Sequence, residues 1–269
     1  MRPGVIGLVV CCGWLVTCPV SLAAALPFPV AASSYLIQVN DQTRWERAVD
    51  SRLAPASLTK LMMVLLLMEN YQPEVVVTTS LAASHETGSR LGLHAGERMR
   101  VQDLLAASLL NSANDACHAL ADHTAGDQRR FVRRMNQRAQ TWGLRDTHFS
   151  NACGHDDVRH YSSARDITTL AHRVMAYPVL LDLMARQTMD IRSADGLRGY
   201  ALLNHNALIG RYEGAVGMKS GYTIKAGKCL VALARRDGVT VLLVMLHAEN
   251  RWWDASDMLE YAYSQAAHD

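Results

Sequence analysis

Lysine is scarce in this chain. Of 27 basic residues only four are lysine, at Lys60, Lys219, Lys225 and Lys228, and all the others are arginine. Arginine cannot be deprotonated in a protein and lysine can, so chemistry that needs a neutral amine is confined to four positions. Net charge is also small: 27 basic residues against 25 acidic ones give +2, which argues against a general nucleic-acid binder. Cysteine occurs at 11, 12, 18, 117, 153 and 229. The first three fall in a leader described below, and the odd number left over excludes a disulfide-built scaffold and leaves at least one free thiol. Cys117 is expected to be a small core residue, or a free thiol near the second motif described below. Past residue 25 no segment reaches the ~18 consecutive apolar residues of a membrane span, so no stable membrane anchor is expected. Internal repeats, low-complexity tracts and linkers are absent as well.

What is present begins with a leader. Residues 1–25 carry one charge, Arg2, then an apolar run from Val5 to Val20 and the small residues Ala23-Ala24-Ala25. That is the layout of a secretory signal peptide with an A-x-A cleavage site. Cleavage after Ala25 is expected, and Val30-Ala31-Ala32 offers a second site. Cys18 follows a sequence that only loosely fits a lipoprotein box, because Thr17 is a poor residue before it. An exported, periplasmic protein with a single domain over 26–269 is the expectation.

Hydrophobic periodicity predicts strand 34–39 and a returning strand 44–49, a buried helix from Ser57 to about Asn70, a short strand at 75–79 and a glycine-bearing loop at 88–100. Helices follow at 101–110, 115–123, 127–142, 166–175 and 179–185. Two branched-rich strands, 228–234 and 239–246, flank a turn, and a helix at 252–263 closes the chain. The five arginines between 129 and 138 fall off the apolar face of their helix and read as a solvated face. Strands at both ends with helices between them predict an α+β fold whose antiparallel sheet joins the N-terminal hairpin to the C-terminal strands.

The buried helix contains an anomaly. Residues 61–68 read Leu-Met-Met-Val-Leu-Leu-Leu-Met, apolar on every side, yet Lys60 opens the run, three residues after Ser57. That spacing puts both side chains on one face, one turn apart. Burial disfavours an ammonium, and a neutral amine beside a hydroxyl is a general base beside a nucleophile. Taken alone, the tetrad also fits a serine N-cap with a lysine snorkelling from the helix end.

Two further elements change the balance: Ser112-x-Asn114 and Lys219-Ser220-Gly221, in that order. Together they hold what acyl transfer requires. Ser57 supplies the nucleophile and Lys60 its base. Ser112, between two helices, relays protons toward the departing amine, and Asn114 holds a substrate amide. Lys219 and Ser220 offer a cation and a hydroxyl to a terminal carboxylate, and Gly221 lets a substrate backbone approach a strand edge. Backbone N–H groups of Ser57 and Tyr222 are the expected oxyanion donors. No metal-ligand spacing competes: His155, Asp156, Asp157 and His160 form the densest group of possible ligands and read as surface-loop residues.

These residues resemble the penicillin-recognising serine DD-peptidases, specifically the low-molecular-mass D-alanyl-D-alanine carboxypeptidases of peptidase family S11. The likeness extends over Ala56 to Lys60, Asn111 to Cys117, Gly143 to Phe149, Tyr161 to Asp166 and Lys219 to Thr223. It implies a β-lactamase/DD-peptidase-like fold with an all-helical lobe. It also implies a cofactor-free periplasmic enzyme that trims peptidoglycan stem peptides ending in D-Ala-D-Ala through an acyl-enzyme on Ser57, with β-lactams as inhibitors. Ala113 stands where glycine is usual and Ser220 where threonine is common. The chain stops where many members continue into a second domain. In this it looks like the short members, some of which are DD-endopeptidases that cut cross-links, and endopeptidase activity is the alternative reading. A class A β-lactamase would need a deacylating glutamate between the second and third elements; only Glu213 lies there, too near Lys219. A non-catalytic penicillin-binding sensor would not need Lys60 and Ser112.

Overall fold

The structure, a computed structural model, describes residues 1, 28 and 31–267. The expected leader and the cleavage site after Ala25 lie outside the described residues. In chain order the first elements are β1 (Ala32–Val39), β2 (Gln42–Arg47), α1 (Lys60–Met68), β3 (Val76–Thr78), α2 (Leu81–Ser84), β4 (Arg98–Arg100) and α3 (Val101–Leu109). Four helices follow, α4 (Asn114–Ala125), α5 (Gln128–Thr141), α6 (Ala164–Met175) and α7 (Pro178–Met184). The hairpin β5 (Thr188–Arg192) and β6 (Gly199–Leu203) leads to β7 (Ala215–Thr223), β8 (Gly227–Arg236), β9 (Val239–Ala248) and α8 (Arg251–Ala266).

The main sheet is antiparallel with strand order β2-β1-β9-β8-β7, so the N-terminal hairpin does join the C-terminal strands. Asn40 and Asp41 turn the first hairpin at φ 48 and 65, a region their short polar side chains tolerate. Both faces of the sheet are covered, which is why β8 and β9 read as unbroken apolar runs. Val231, Leu233, Leu242, Val244 and Leu246 belong to the core shared with α1 and its neighbours. The alternate residues Leu230, Ala232, Val241, Leu243 and Met245 pack with Ala255, Met258, Leu259 and Ala262 of α8.

Helix α1 runs through the centre of the helical part: Leu61 to Leu67 are each at most 3% exposed, and α3, α4, α5 and α6 surround it. Helix α5 buries Phe131, Met135 and Ala139. Its arginine face is solvated as expected, with Arg134 and Arg138 tied to Glu69 at the end of α1. Two small antiparallel ladders, β3–β4 and β5–β6, border the helices. The sequence reading leaves β4 inside a loop and passes over β5 and β6, because strands of three to five residues with mixed exposure carry too few periods to register.

Two expectations need correcting. Cys117 is not a free thiol: it forms a disulfide with Cys153, 36 residues away, with Cα atoms 6.0 Å apart. Cys229 is the free one, and burial pushes its thiol up to about 11. Of the 155–160 group, Asp156 is exposed and His155 and Asp157 are partly so, but His160 is not a surface residue. His160 is buried, its Nε2 2.8 Å from Thr59 Oγ1, and burial holds it neutral by lowering it to about 4.

Candidate active site

The chain enters α1 through a 3-10 turn at Ala56–Thr59 with Ala56 at φ 47, a conformation L-residues adopt at a cost. In this turn Ser57 alone is half-buried, while Ala56, Leu58 and Thr59 are fully inside. No side chain caps the turn or the helix, so Ser57 is not serving as an N-cap. Lys60, the first residue of α1, is 0% exposed. Its Nζ lies 3.2 Å from Ser57 Oγ, 2.7 Å from Asn114 Oδ1 and 2.8 Å from the Cys153 carbonyl oxygen. All three partners are uncharged. Burial, and next the neighbouring Lys219, hold the amine well below its ordinary value, against the pull of Glu86 and Asp115.

Ser112 sits between α3 and α4 at φ 58 and Asn114 opens α4. Asn114 bridges two layers, accepting from Lys60 and donating through Nδ2 to the Thr87 carbonyl at 2.7 Å. Asp115 accepts N–H bonds from Leu91, Gly92 and Leu93 and so shapes the glycine-bearing loop beside the site. Sequence reasoning gave Asp115 no part.

Strand β7 is an edge strand and lies against the Ser57 turn. Gly221 is its point of closest approach: a Cβ there would stand 2.9 Å from the Ser57 nitrogen and 3.0 Å from the Ala56 Cβ. The glycine thus makes room for this turn rather than for a substrate backbone. Lys219 is 1% exposed, donates to the Ser220 carbonyl at 2.9 Å and is lowered to about 7 by burial and by Arg251. It lies beneath the cavity wall and does not line it. The residue that does present a cation is Arg251, which sequence reasoning missed. It opens α8, donates to the carbonyls of Gly221 and Cys229, and stacks on Trp252. Its Nε is buried without a partner, and it forms no ion pair among the described residues.

The segment 151–155 packs on the Ser57 turn and borders the site. Gly154, at φ 96, lies so near the turn that a Cβ would fall 2.1 Å from the Ala56 oxygen. His155 pairs with Glu86, which also binds His118. Burial pushes the Glu86 carboxyl up, yet the hydrogen bonds from these two histidines bring it down to about 2. His118 is held protonated: burial opposes its charge, but Asp122 and Glu86 raise it to about 9.

A cavity of about 760 Å³ opens among these parts. Ser57, Ser112, Asn114, Ser220, Gly221 and Tyr222 line it, as does Arg251, whereas Lys60 and Lys219 lie behind the wall. Tyr222 is 61% exposed at the mouth. A half-buried hydroxyl beside an amine held well below its ordinary value, with a cation on the cavity wall, is equipped for nucleophilic attack on a carbonyl near a negatively charged terminus. A model of the peptidase S11 family, described as D-alanyl-D-alanine carboxypeptidase, matches residues 23–250. The chain belongs to that family.

The chain is similar to the D-alanyl-D-alanine carboxypeptidase DacF of Bacillus subtilis, 33% identical over 244 residues that cover 87% of this chain and 62% of DacF. It is also similar to DacB2 of Mycobacterium tuberculosis, 28% identical over 90% of this chain and 86% of the relative. The chain therefore spans less than two thirds of DacF and most of DacB2. Among solved structures, a Streptomyces DD-transpeptidase superposes with a TM-score of 0.81 at 28% identity, covering 87% of this chain and 98% of that one. The fold is that of the DD-peptidases, as the family resemblance implied.

Proposed function

We propose that this chain is a serine D-Ala-D-Ala carboxypeptidase that acts on peptidoglycan stem peptides. The observation that carries the reading is the buried Lys60 amine 3.2 Å from the half-buried Ser57 hydroxyl. Family membership and the cation of Arg251 support it. In this mechanism Ser57 Oγ attacks the carbonyl carbon of the penultimate residue and its proton passes to Lys60 Nζ. Backbone N–H groups of Ser57 and Tyr222 receive the oxyanion. The C–N bond then breaks, the terminal amine takes a proton by way of Ser112, and an ester on Ser57 is left for water to hydrolyse. Asn114 holds Lys60 as well as the substrate amide. Lys219 acts from behind the wall by adding to the burial that lowers Lys60, Ser220 and Arg251 take the terminal carboxylate, and Gly221 lets β7 close on the Ser57 turn. No step needs a metal or cofactor.

β-Lactams enter as inhibitors because they present a carboxylate and a strained amide to the same groups. Neither Glu213 nor any other Asp or Glu among the described residues lines the cavity, so the acyl-enzyme they form meets no carboxylate base there for rapid hydrolysis. Export to the periplasm by the leader fits this substrate, and cleavage after Ala25 leaves β1 whole, since β1 begins at Ala32. Among the described residues no helix is long and apolar enough to cross a membrane. Cleavage of cross-links is the second reading, favoured by a cavity of about 760 Å³, which offers more volume than a lone D-alanine leaving group fills. Mass analysis of products from purified muropeptides decides between them. Loss of one D-alanine from uncross-linked pentapeptides is the expected result. Conversion of cross-linked dimers to monomers with pentapeptides left intact would transfer the assignment to endopeptidase, and no product from either would overturn both.

A further inference from the structure

The Cys117–Cys153 disulfide joins two elements that meet at Lys60. Cys117 lies on α4, three residues after Asn114, and Cys153 lies in the segment that packs on the Ser57 turn. Neither cysteine lines the cavity, but the backbone around Cys153 meets the site at three consecutive residues. The Cys153 carbonyl accepts from Lys60 Nζ at 2.8 Å. Gly154 packs on the Ala56 carbonyl and the Ser57 nitrogen, leaving no room for a Cβ. His155 lines the cavity.

This segment has no helix or strand to hold it. Its local restraint is the Asn151 side chain, whose Oδ1 accepts from the N–H groups of Cys153, Gly154 and His155 at 3.3, 2.7 and 3.0 Å. The covalent restraint is the disulfide, and its other end is on the helix that supplies Asn114 Oδ1 to the same amine. Of the three acceptors around Lys60, one is therefore on α4, one is on the segment stapled to α4, and the third is Ser57.

We propose that the Cys117–Cys153 disulfide is a positioning element for the Ser57–Lys60 pair: it fixes the Cys153 carbonyl and Gly154 against Lys60 and the Ser57 turn. The proposal rests on Lys60 acting as the base. Misplacing reacting groups by about 1 Å costs up to ~10²-fold in rate, and without the disulfide the segment is held by the Asn151 bonds, the bond from Lys60 and the His155–Glu86 pair alone. The disulfide thereby couples the enzyme's competence to an oxidising compartment, without either sulfur taking part in the reaction.

Cys117→Ala tests this, because it removes no group that touches Lys60, Ser57 or the cavity. The acylation rate constant with a fluorescent penicillin is measured across pH for the oxidised wild type, for Cys117→Ala and for the double variant with Cys153→Ala, alongside the melting temperature of each. Folded Cys117→Ala is expected to acylate about tenfold more slowly. The pH midpoint of its acylation is expected to move upward, as the loosened segment admits water to the amine. Lys219 on β7, Asp115 on α4, Glu86 before β4 and the His205 ring all face that amine and are unchanged, so the midpoint reports its burial. The double variant is expected to add little. Should the variants fail to fold, the wild type produced and kept in dithiothreitol, with Cys117, Cys153 and Cys229 counted as thiols by mass, receives the same measurement. A lowered melting temperature with an unchanged rate and midpoint would overturn the proposal and leave the disulfide a structural staple. Failure of the oxidised wild type to acylate at all would instead sink the enzymatic reading on which it rests.

Discussion

Lys60→Arg is expected to lower the acylation rate by ~10³-fold or more, although it keeps a basic side chain at the same place. The amine is useful because it loses its proton. Burial and the nearby Lys219 lower it far from an ordinary lysine, so a substantial neutral fraction exists at pH values where a solvated lysine would be an ammonium. Arginine never supplies that fraction. The sign in the wild type follows from the same shift: the competent form is the deprotonated one, so acylation rises with pH through a midpoint below the usual lysine value of 10.5 and is lost on acidification. Labelling by fluorescent penicillin as a function of pH checks both statements. A circular-dichroism melt of the variant separates loss of the base from loss of fold, since a bulkier guanidinium enters a fully buried site. Near-normal labelling of folded Lys60→Arg would refute the assigned role.

Arg251→Leu is expected to lower kcat/KM by about 10- to 100-fold on peptides with a free C-terminal carboxylate and to leave C-terminally amidated peptides nearly unaffected. Arg251 lines the cavity, lacks an acidic partner among the described residues and keeps one buried N–H unused. A carboxylate would complete its hydrogen bonding. Lys219→Ala serves as the contrast. That lysine is buried behind the wall, so its removal is expected to reduce turnover of both kinds of peptide through the packing and electrostatics around Lys60. Comparison of steady-state parameters on matched free-acid and amidated peptides is the check. Equal losses on the two substrates in Arg251→Leu would count against a carboxylate clamp.

The contrast between Lys219 and Arg251 marks what the sequence made legible and what it did not. Ser57 and Lys60 are readable because they are one helical turn apart on an apolar run, a relation fixed by local geometry. The sheet is readable because its strands are long and branched-rich. Arg251 is 30 residues beyond Gly221 and looks like any of the other arginines until α8 packs its first turn over the end of β7. The Cys117–Cys153 pair was hidden for another reason: three cysteines permit three pairings or none, and spacing does not choose among them. His160 looked like a loop residue since it stands in a polar stretch, and only the fold shows its ring reaching Thr59 beneath the Ser57 turn. Gly154 and Gly221 were visible as glycines, but the close approach that requires them is made to Ala56 and Ser57, far away in sequence.

The central claim is that Ser57 is the acylated residue, and locating a penicillin adduct tests it most directly. The protein is incubated with benzylpenicillin, denatured, digested with trypsin and analysed by tandem mass spectrometry. The tryptic peptide Leu53–Lys60 contains two hydroxyl residues, Ser57 and Thr59, and fragmentation separates them. The account predicts one adduct, on Ser57, abolished by Ser57→Ala. An adduct on Ser112 or elsewhere, or undiminished labelling of folded Ser57→Ala, would contradict it.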